Sequence, residues 1–249
     1  MPEKNTTFTS PLAEDKFSII SGTYWKAAFA NVKDLKMLTF AAIIIAMRVA
    51  VKFFVIPVAT GVDFSLDCYV NSIGSLVYGP VVGLLVGAVS DTLGYLLHPT
   101  GAYFFPYIFV EMGSSFIFGL FLWRRKLSAP RILISKFTVN FICNIIMTSS
   151  IMKLQKFMIG EAYSLINLVR IVKNLVLFPI EAMLITVILS AIIPAFKSLK
   201  LIDNGQENIE LKKKDILMII TLLILSIALV LFYILFLKDF VSAHNIKLL

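Results

Sequence analysis

Apolar residues in this chain run on in long blocks, each closed by charge, proline or glycine. A helix crossing the hydrocarbon core needs about 20 such residues, so each block reads as a transmembrane span. Leu35 to Pro57 is the first. Between Leu66 and Leu97 the apolar run is broken only by Tyr78-Gly79-Pro80, which predicts a second and a third span meeting at a Gly-Pro turn. Tyr103 to Trp123 is the fourth, Ile132 to about Leu154 the fifth and Leu168 to Phe196 the sixth. Ile216 to Leu237 is a strongly apolar seventh. No internal repeat is visible. The first stretch of the chain is mixed and polar, without a cationic segment leading into an apolar core, so a loose tail is expected and no cleavable signal peptide.

Composition excludes an ordinary soluble domain: 59% of residues are hydrophobic, mean hydropathy is +0.89 and only 15% are charged, against about 25% in soluble proteins. The net charge is +8, but Lys and Arg sit between the apolar blocks, where they anchor helix ends and form no face for nucleic acid. Lys26, Lys33 and Lys36 precede span one. Arg124, Arg125, Lys126 and Arg131 separate spans four and five, and Lys197, Lys200 and Lys212 to Lys214 separate spans six and seven. Seven crossings put all of these on one side, which the positive-inside rule makes the cytoplasm. The expectation is a multi-pass cell-membrane protein with a cytoplasmic N-terminus. It divides into a tail (1–34), a six-helix substrate-binding domain (35–197), a basic cytoplasmic linker (198–215), an added helix (216–237) and a short end (238–249). Segments 57–65, 98–104 and 155–167 fall outside.

The informative residues are cations that break this pattern. Arg48 and Lys52 lie one helical turn apart in the outer half of span one, where a cation facing lipid costs several kcal/mol. Lys153 and Lys156 end span five, and Arg170 and Lys173 begin span six. Together they suggest an outward-opening basic cavity for an anionic solute; interfacial snorkelling is the competing explanation for Lys52, Lys153 and Lys156. Asp91, Glu111 and Glu181 are intramembrane carboxylates, costly unless paired, and so are either site groups or structural partners of the cations. Phe104, Phe105, Tyr107 and Phe109 could stack on a flat ring or form an interfacial belt. Ala42, Ala46 and Ala50 repeat at four-residue spacing and would let another helix approach closely. Cys68 and Cys143 read as small core residues, and His98 as an interfacial loop residue. No phosphate loop, zinc-protease or nucleophile-elbow motif is present, so no cofactor and no catalysis are expected.

The succession Leu76-Val-Tyr-Gly-Pro-Val-Val-Gly-Leu-Leu-Val-Gly-Ala-Val-Ser-Asp91, then Leu93 to Pro106, then Gly119-Leu-Phe-Leu-Trp-Arg124, with Arg170-Ile-Val-Lys-Asn174-Leu-Val-Leu-Phe-Pro179, resembles the substrate-binding (S) components of energy-coupling factor (ECF) vitamin transporters. Within them it is most similar to the folate type. The resemblance covers about residues 35 to 197. It implies a six-helix bundle that captures a vitamin from outside, docks on a shared transmembrane coupling subunit bearing two ATPases, and topples to release its load. The implied docking contacts are Ala42 and Ala46. The implied solute contacts are Arg48, Lys173 and Asn174, with Tyr103 and Phe104 as ring contacts; Arg170 joins them as a further cation.

Two other readings of the residues stay open. A self-contained carrier of a small anionic solute would use Asp91, Glu111 and Glu181 as ion-coupling groups, although no inverted repeat is seen. A membrane enzyme or assembly factor holding a lipid phosphate would want clustered carboxylates for a metal, and here they are scattered.

Overall fold

The computed structural model describes residues 19–59, 62–99, 103–159, 168–202 and 213–232. The chain first forms α1 (Gly22–Ala30), capped by Ser21 Oγ, which accepts the Thr23 N–H at 3.3 Å. This stretch was expected to be tail. Instead Tyr24 and Ala28 are fully buried, Tyr24 meets the Trp123 ring edge-on at 5.0 Å, and Trp25 stacks on Phe116. Asn31 just beyond donates its amide to the Tyr78 carbonyl at 3.1 Å. Nine residues are too few to show as an apolar block, and their aromatic rings supply the docking area.

Helix α2 (Leu35–Val51) starts at Asp34, whose carboxylate accepts the Lys36 N–H. It stops before Pro57, and strands β1 (Val55–Ala59) and β2 (Val62–Ser65) follow, antiparallel with Val55 opposite Ser65 and Pro57 opposite Asp63. Span one is thus shorter than expected, and the all-helical expectation acquires a small hairpin. Val55, Ile56, Val58 and Val62 are β-branched residues that suit extended backbone, and Pro57 cannot continue a helix.

Helix α3 (Asp67–Leu97) is two helices joined at a kink. Gly79 sits at φ 81° and Pro80 follows. Both halves lie against α4 (Ile108–Leu122), which a 3-10 turn at Phe105–Tyr107 introduces. Ser75 in the first half donates its hydroxyl to the Ser115 carbonyl at 3.1 Å, while a Cβ on Gly83 in the second half would stand 3.1 Å from that same carbonyl. The chain therefore doubles back at Gly79, as the Gly-Pro turn predicts. Gly87 and Gly119 let α3 and α4 touch backbone to backbone: a Cβ on either would fall within 2.7 Å of Glu111 or Pro80 main-chain atoms.

Helix α5 (Ala129–Thr138), a π-helical segment (Val139–Met147) and α6 (Thr148–Ile159) follow one another without a break. Helix α7 (Leu168–Ser198) contains Pro179 and Pro194, and α8 (Lys213–Phe232) packs on α7. Among the described residues four stretches are long and apolar enough to cross a membrane: Asp67–Leu97, Phe105–Leu122, Ala129–Met158 and Leu177–Ser198. The molecule is a multi-pass helical membrane protein. Its apolar core joins Ile44 of α2, Leu76 and Tyr78 of α3, Phe118 of α4, Ile132 of α5 and Leu189 of α7.

Candidate functional site

At the end of the bundle that carries the hairpin, α2 delivers Arg48 into a fully buried position. Its Nε and Nη2 donate to the two carboxylate oxygens of Asp67, each at 2.8 Å, and Nη2 also donates to Glu111 Oε2. Its Nη1 donates to Ser115 Oγ at 3.1 Å. Ser115 in turn donates to Asn71 Oδ1 at 2.8 Å, and Asn71 donates to Ser114 Oγ at 3.0 Å. One cation thus ties α2 to the first half of α3 and to α4, with two carboxylates sharing its charge. A planar guanidinium suits this because its fixed fork meets a carboxylate bidentately. A direct contact between Arg48 and a solute would require one of these partners to give way.

Lys52, one turn on, lies 3.6 Å from Asp91, and its stem crosses Gly94, where a Cβ would meet it at 2.7 Å. The third intramembrane carboxylate, Glu181 of α7, receives the Lys136 ammonium of α5 at 3.0 Å, with Lys136 buried. Asp91, Glu111 and Glu181 each therefore face a cation from another helix, which is how carboxylates persist at low dielectric. Lys153 and Lys156 are exposed.

A second polar cluster joins the π-helical segment to α7. Asn144 Nδ2 donates to Asn174 Oδ1 at 3.0 Å and to Asn140 Oδ1 at 3.1 Å; Asn140 Nδ2 donates to the Asn174 carbonyl at 3.1 Å. Lys136, Asn140 and Asn144 recur every four residues, so they form one stripe on the helix face turned to α7. The sequence reading named Asn174 and missed the other three. Their period-four spacing inside an apolar run was the available signal. A π-helical stretch within an α-helix often marks a functional site, because it re-aims side chains. Carboxamides offer both donors and acceptors, the chemistry needed to read the edge of a heterocycle.

Tyr103 is part-exposed and its ring lies 4.7 Å from that of Tyr95. Phe104 is buried against Tyr107, whose hydroxyl donates to Gln155 of α6. His98 meets the Phe53 ring edge-on, in keeping with a loop residue. Arg170 and Lys173 fall on the opening turns of α7, with side chains outside the described residues. On α2, Ala42 and Ala46 are exposed on the outer surface with Ile43 and Met47, whereas Ala41, Ile44 and Arg48 face inward.

Comparison with known proteins gives this geometry a setting. Over 114 residues the chain is 29% identical to the folate transporter FolT of Clostridium novyi, covering 46% of this chain and 64% of that protein. With FolT of Leuconostoc mesenteroides it shares 29% identity over 107 residues, 42% of this chain and 58% of the relative. The match thus spans somewhat under two thirds of each relative. The fold is similar to the crystal structure of FolT bound with folic acid, with a TM-score of 0.52 at 24% identity over 60% of this chain and 88% of that one. A family model, ECF-type riboflavin transporter, S component, matches residues 32–195. That stretch is most of the chain and holds both polar clusters, and the chain belongs to the ECF-type riboflavin transporter S-component family.

Proposed function

We propose that this chain is the solute-capture component of an ATP-driven ECF-type importer and that its solute is folate or a closely related anionic vitamin. The observation that carries the reading is the Asn140–Asn144–Asn174 carboxamide cluster, which lies inside the family-matched segment at the π-helical stretch. In this reading the amides pair with the heterocycle edge, Lys173 and Arg170 on the preceding turn hold carboxylates of the tail by charge-assisted bonds, and Tyr103 and Phe104 flank the ring. Arg48 acts mainly through Asp67 and Glu111, fixing the ends of α3 and α4 that border the site. Likeness to two folate transporters and to a folate-bound fold supports the choice of vitamin; the family's own description makes riboflavin the second candidate.

Counted with α3 as two helices and with α5 to α6 as one rod, residues 35–198 form a six-helix bundle and α8 is a seventh crossing. The basic ends of α4 and α7 face the cytoplasm by the positive-inside rule, as does the N-terminus, and the hairpin faces out. The exposed Ala42 and Ala46 stripe is where a coupling subunit carrying two ATPases docks. Family membership weighs against a self-contained ion-coupled carrier, and each carboxylate that would couple ions already faces a cation.

Calorimetric titration of the detergent-purified chain with folate, riboflavin and other vitamins tests the reading. Tight folate binding is expected, weakened by a factor of about ten or more (about 1.4 kcal/mol) in Asn174→Ala and in Lys173→Ala. Failure of every vitamin to bind would remove the proposal's central claim, and uptake by the purified chain alone under a pH gradient would favour a carrier instead.

A further inference from the structure

The opposite end of the bundle holds a cleft of about 190 Å³ lined by Asn31, Asp34, Trp123, Arg124, Lys200 and Ile202 among others. The geometry points to this cleft as a second ligand site, one for a phosphate group, filled by the headgroup of an anionic phospholipid from the leaflet on that side.

Arg124 follows the C-cap of α4 and Lys200 lies just past the end of α7. Both have φ 51°, and they are the two non-glycine residues with positive φ among those described. The position after a helix C-terminus commonly takes this left-handed backbone, and it is usually filled by glycine or asparagine. Here a cation occupies it twice, at two helix ends that line one cleft. A backbone outlier of this kind is a reason to look for a function.

The plain alternative is that both cations offset the negative ends of α4 and α7. For α7 that role is already filled: Lys36 Nζ donates to the Leu199 and Lys200 carbonyls, each at 2.8 Å. The Lys200 ammonium is therefore left to another use. The Arg124 guanidinium lies over the Trp123 ring at 4.9 Å, a packing that orients a planar fork for an oxygen-rich anion. Asp34 is the opposing charge in the wall, and its carboxylate accepts the Lys36 N–H at 2.9 Å. Within the lining the two cations, Arg124 and Lys200, outnumber the single carboxylate of Asp34.

The cleft adjoins an apolar groove of about 560 Å³ lined by Leu35, Phe40, Ile43 and Leu201. Leu201 belongs to both. A polar recess opening onto an apolar groove matches a molecule with a phosphate head and acyl tails, and basic recesses at membrane interfaces select anionic lipids. This chemistry favours a lipid over a free anion.

Native mass spectrometry of the full purified chain tests this without any vitamin, so its result is independent of the capture reading. Phosphatidylglycerol is expected to survive delipidation where phosphatidylcholine does not. The Arg124→Gly, Lys200→Gly double variant keeps the left-handed backbone while removing both charges, and it is expected to lower retention by about tenfold or more (about 1.4 kcal/mol). Lys153→Gln with Lys156→Gln removes the same charge from exposed positions on α6 that do not line the cleft and is expected to change retention by less than about twofold (about 0.4 kcal/mol). Equal loss in both double variants, or no loss in the glycine pair, overturns the site. Inorganic phosphate is the second arm. If phosphate alone raises the melting midpoint of the parent but not of the glycine pair, and no lipid is retained, the lipid source is overturned in favour of a free anion.

Discussion

Arg48 shows how one side chain can hold three elements together. Its charge is shared by Asp67 and Glu111 and its remaining reach goes to Ser115, so removing it leaves two carboxylates facing each other in the bundle. Breaking a buried pair from one side costs about 3–5 kcal/mol. Arg48→Ala is expected to lose that much in detergent unfolding, and Arg48→Lys to recover little of it, because an ammonium cannot span the same partners. Unchanged melting of Arg48→Ala would discard this role. Tyr24 gives a second prediction. Burial pushes its phenol up to about 12, against the lowering fields of Arg125 and Arg124, from an ordinary value of 10.0. The unfolded chain then ionises first, so stability is full below about pH 10 and falls by about 2–3 kcal/mol as pH rises to about 12. Tyr24→Phe should flatten that fall in pH-dependent melting curves. Since no described protein group accepts the Tyr24 hydroxyl, the variant should also be no less stable than the parent at neutral pH. The intramembrane carboxylates were legible as needing partners; which cation each meets was not, because pairing depends on how helices far apart in sequence face each other.

At the scale of elements, the turn at Gly79 was readable because Gly followed by Pro in an apolar run has few other uses. The structure adds why glycine is required: φ is 81°, and a Cβ would come within 2.7 Å of the Trp123 ring. Gly79→Ala is expected to cost about 1–2 kcal/mol for the backbone conformation alone, with more from the displaced indole. Purified yield and melting midpoint report it, and a neutral result would show that α3 can turn without the left-handed residue. The hairpin and α1 escaped the apolar pattern, since each is too short to form a block. The π-helical register escaped as well: Asn140 and Asn144 were visible as residues, but a period-four stripe takes on meaning only when α7 lies opposite it.

For the whole molecule, α8 packs on α7, and the family match ends at residue 195, before α8 begins. A chain ending at residue 202 is therefore expected to bind its vitamin within about twofold of the full chain (about 0.4 kcal/mol), as read by the same titration. A larger loss would make α8 part of the capture unit. The exposed alanine face of α2 is a whole-molecule feature too: Ala42 and Ala46 stand outside the core of the bundle, and small residues there invite another helix.

What the sequence determined by itself was the solvent and the general architecture. Uninterrupted apolar runs can satisfy their backbone only as helices in a bilayer, and local Gly-Pro chemistry places the fold-back. Tertiary structure decided where the charges go. Arg48, Lys52 and Lys136 were free to face a solute or a carboxylate, and packing gave each a carboxylate partner from another helix. Ordering residues 22–30 against Trp123 was likewise a tertiary outcome, because so short a helix becomes stable only when its aromatic face finds a surface to cover.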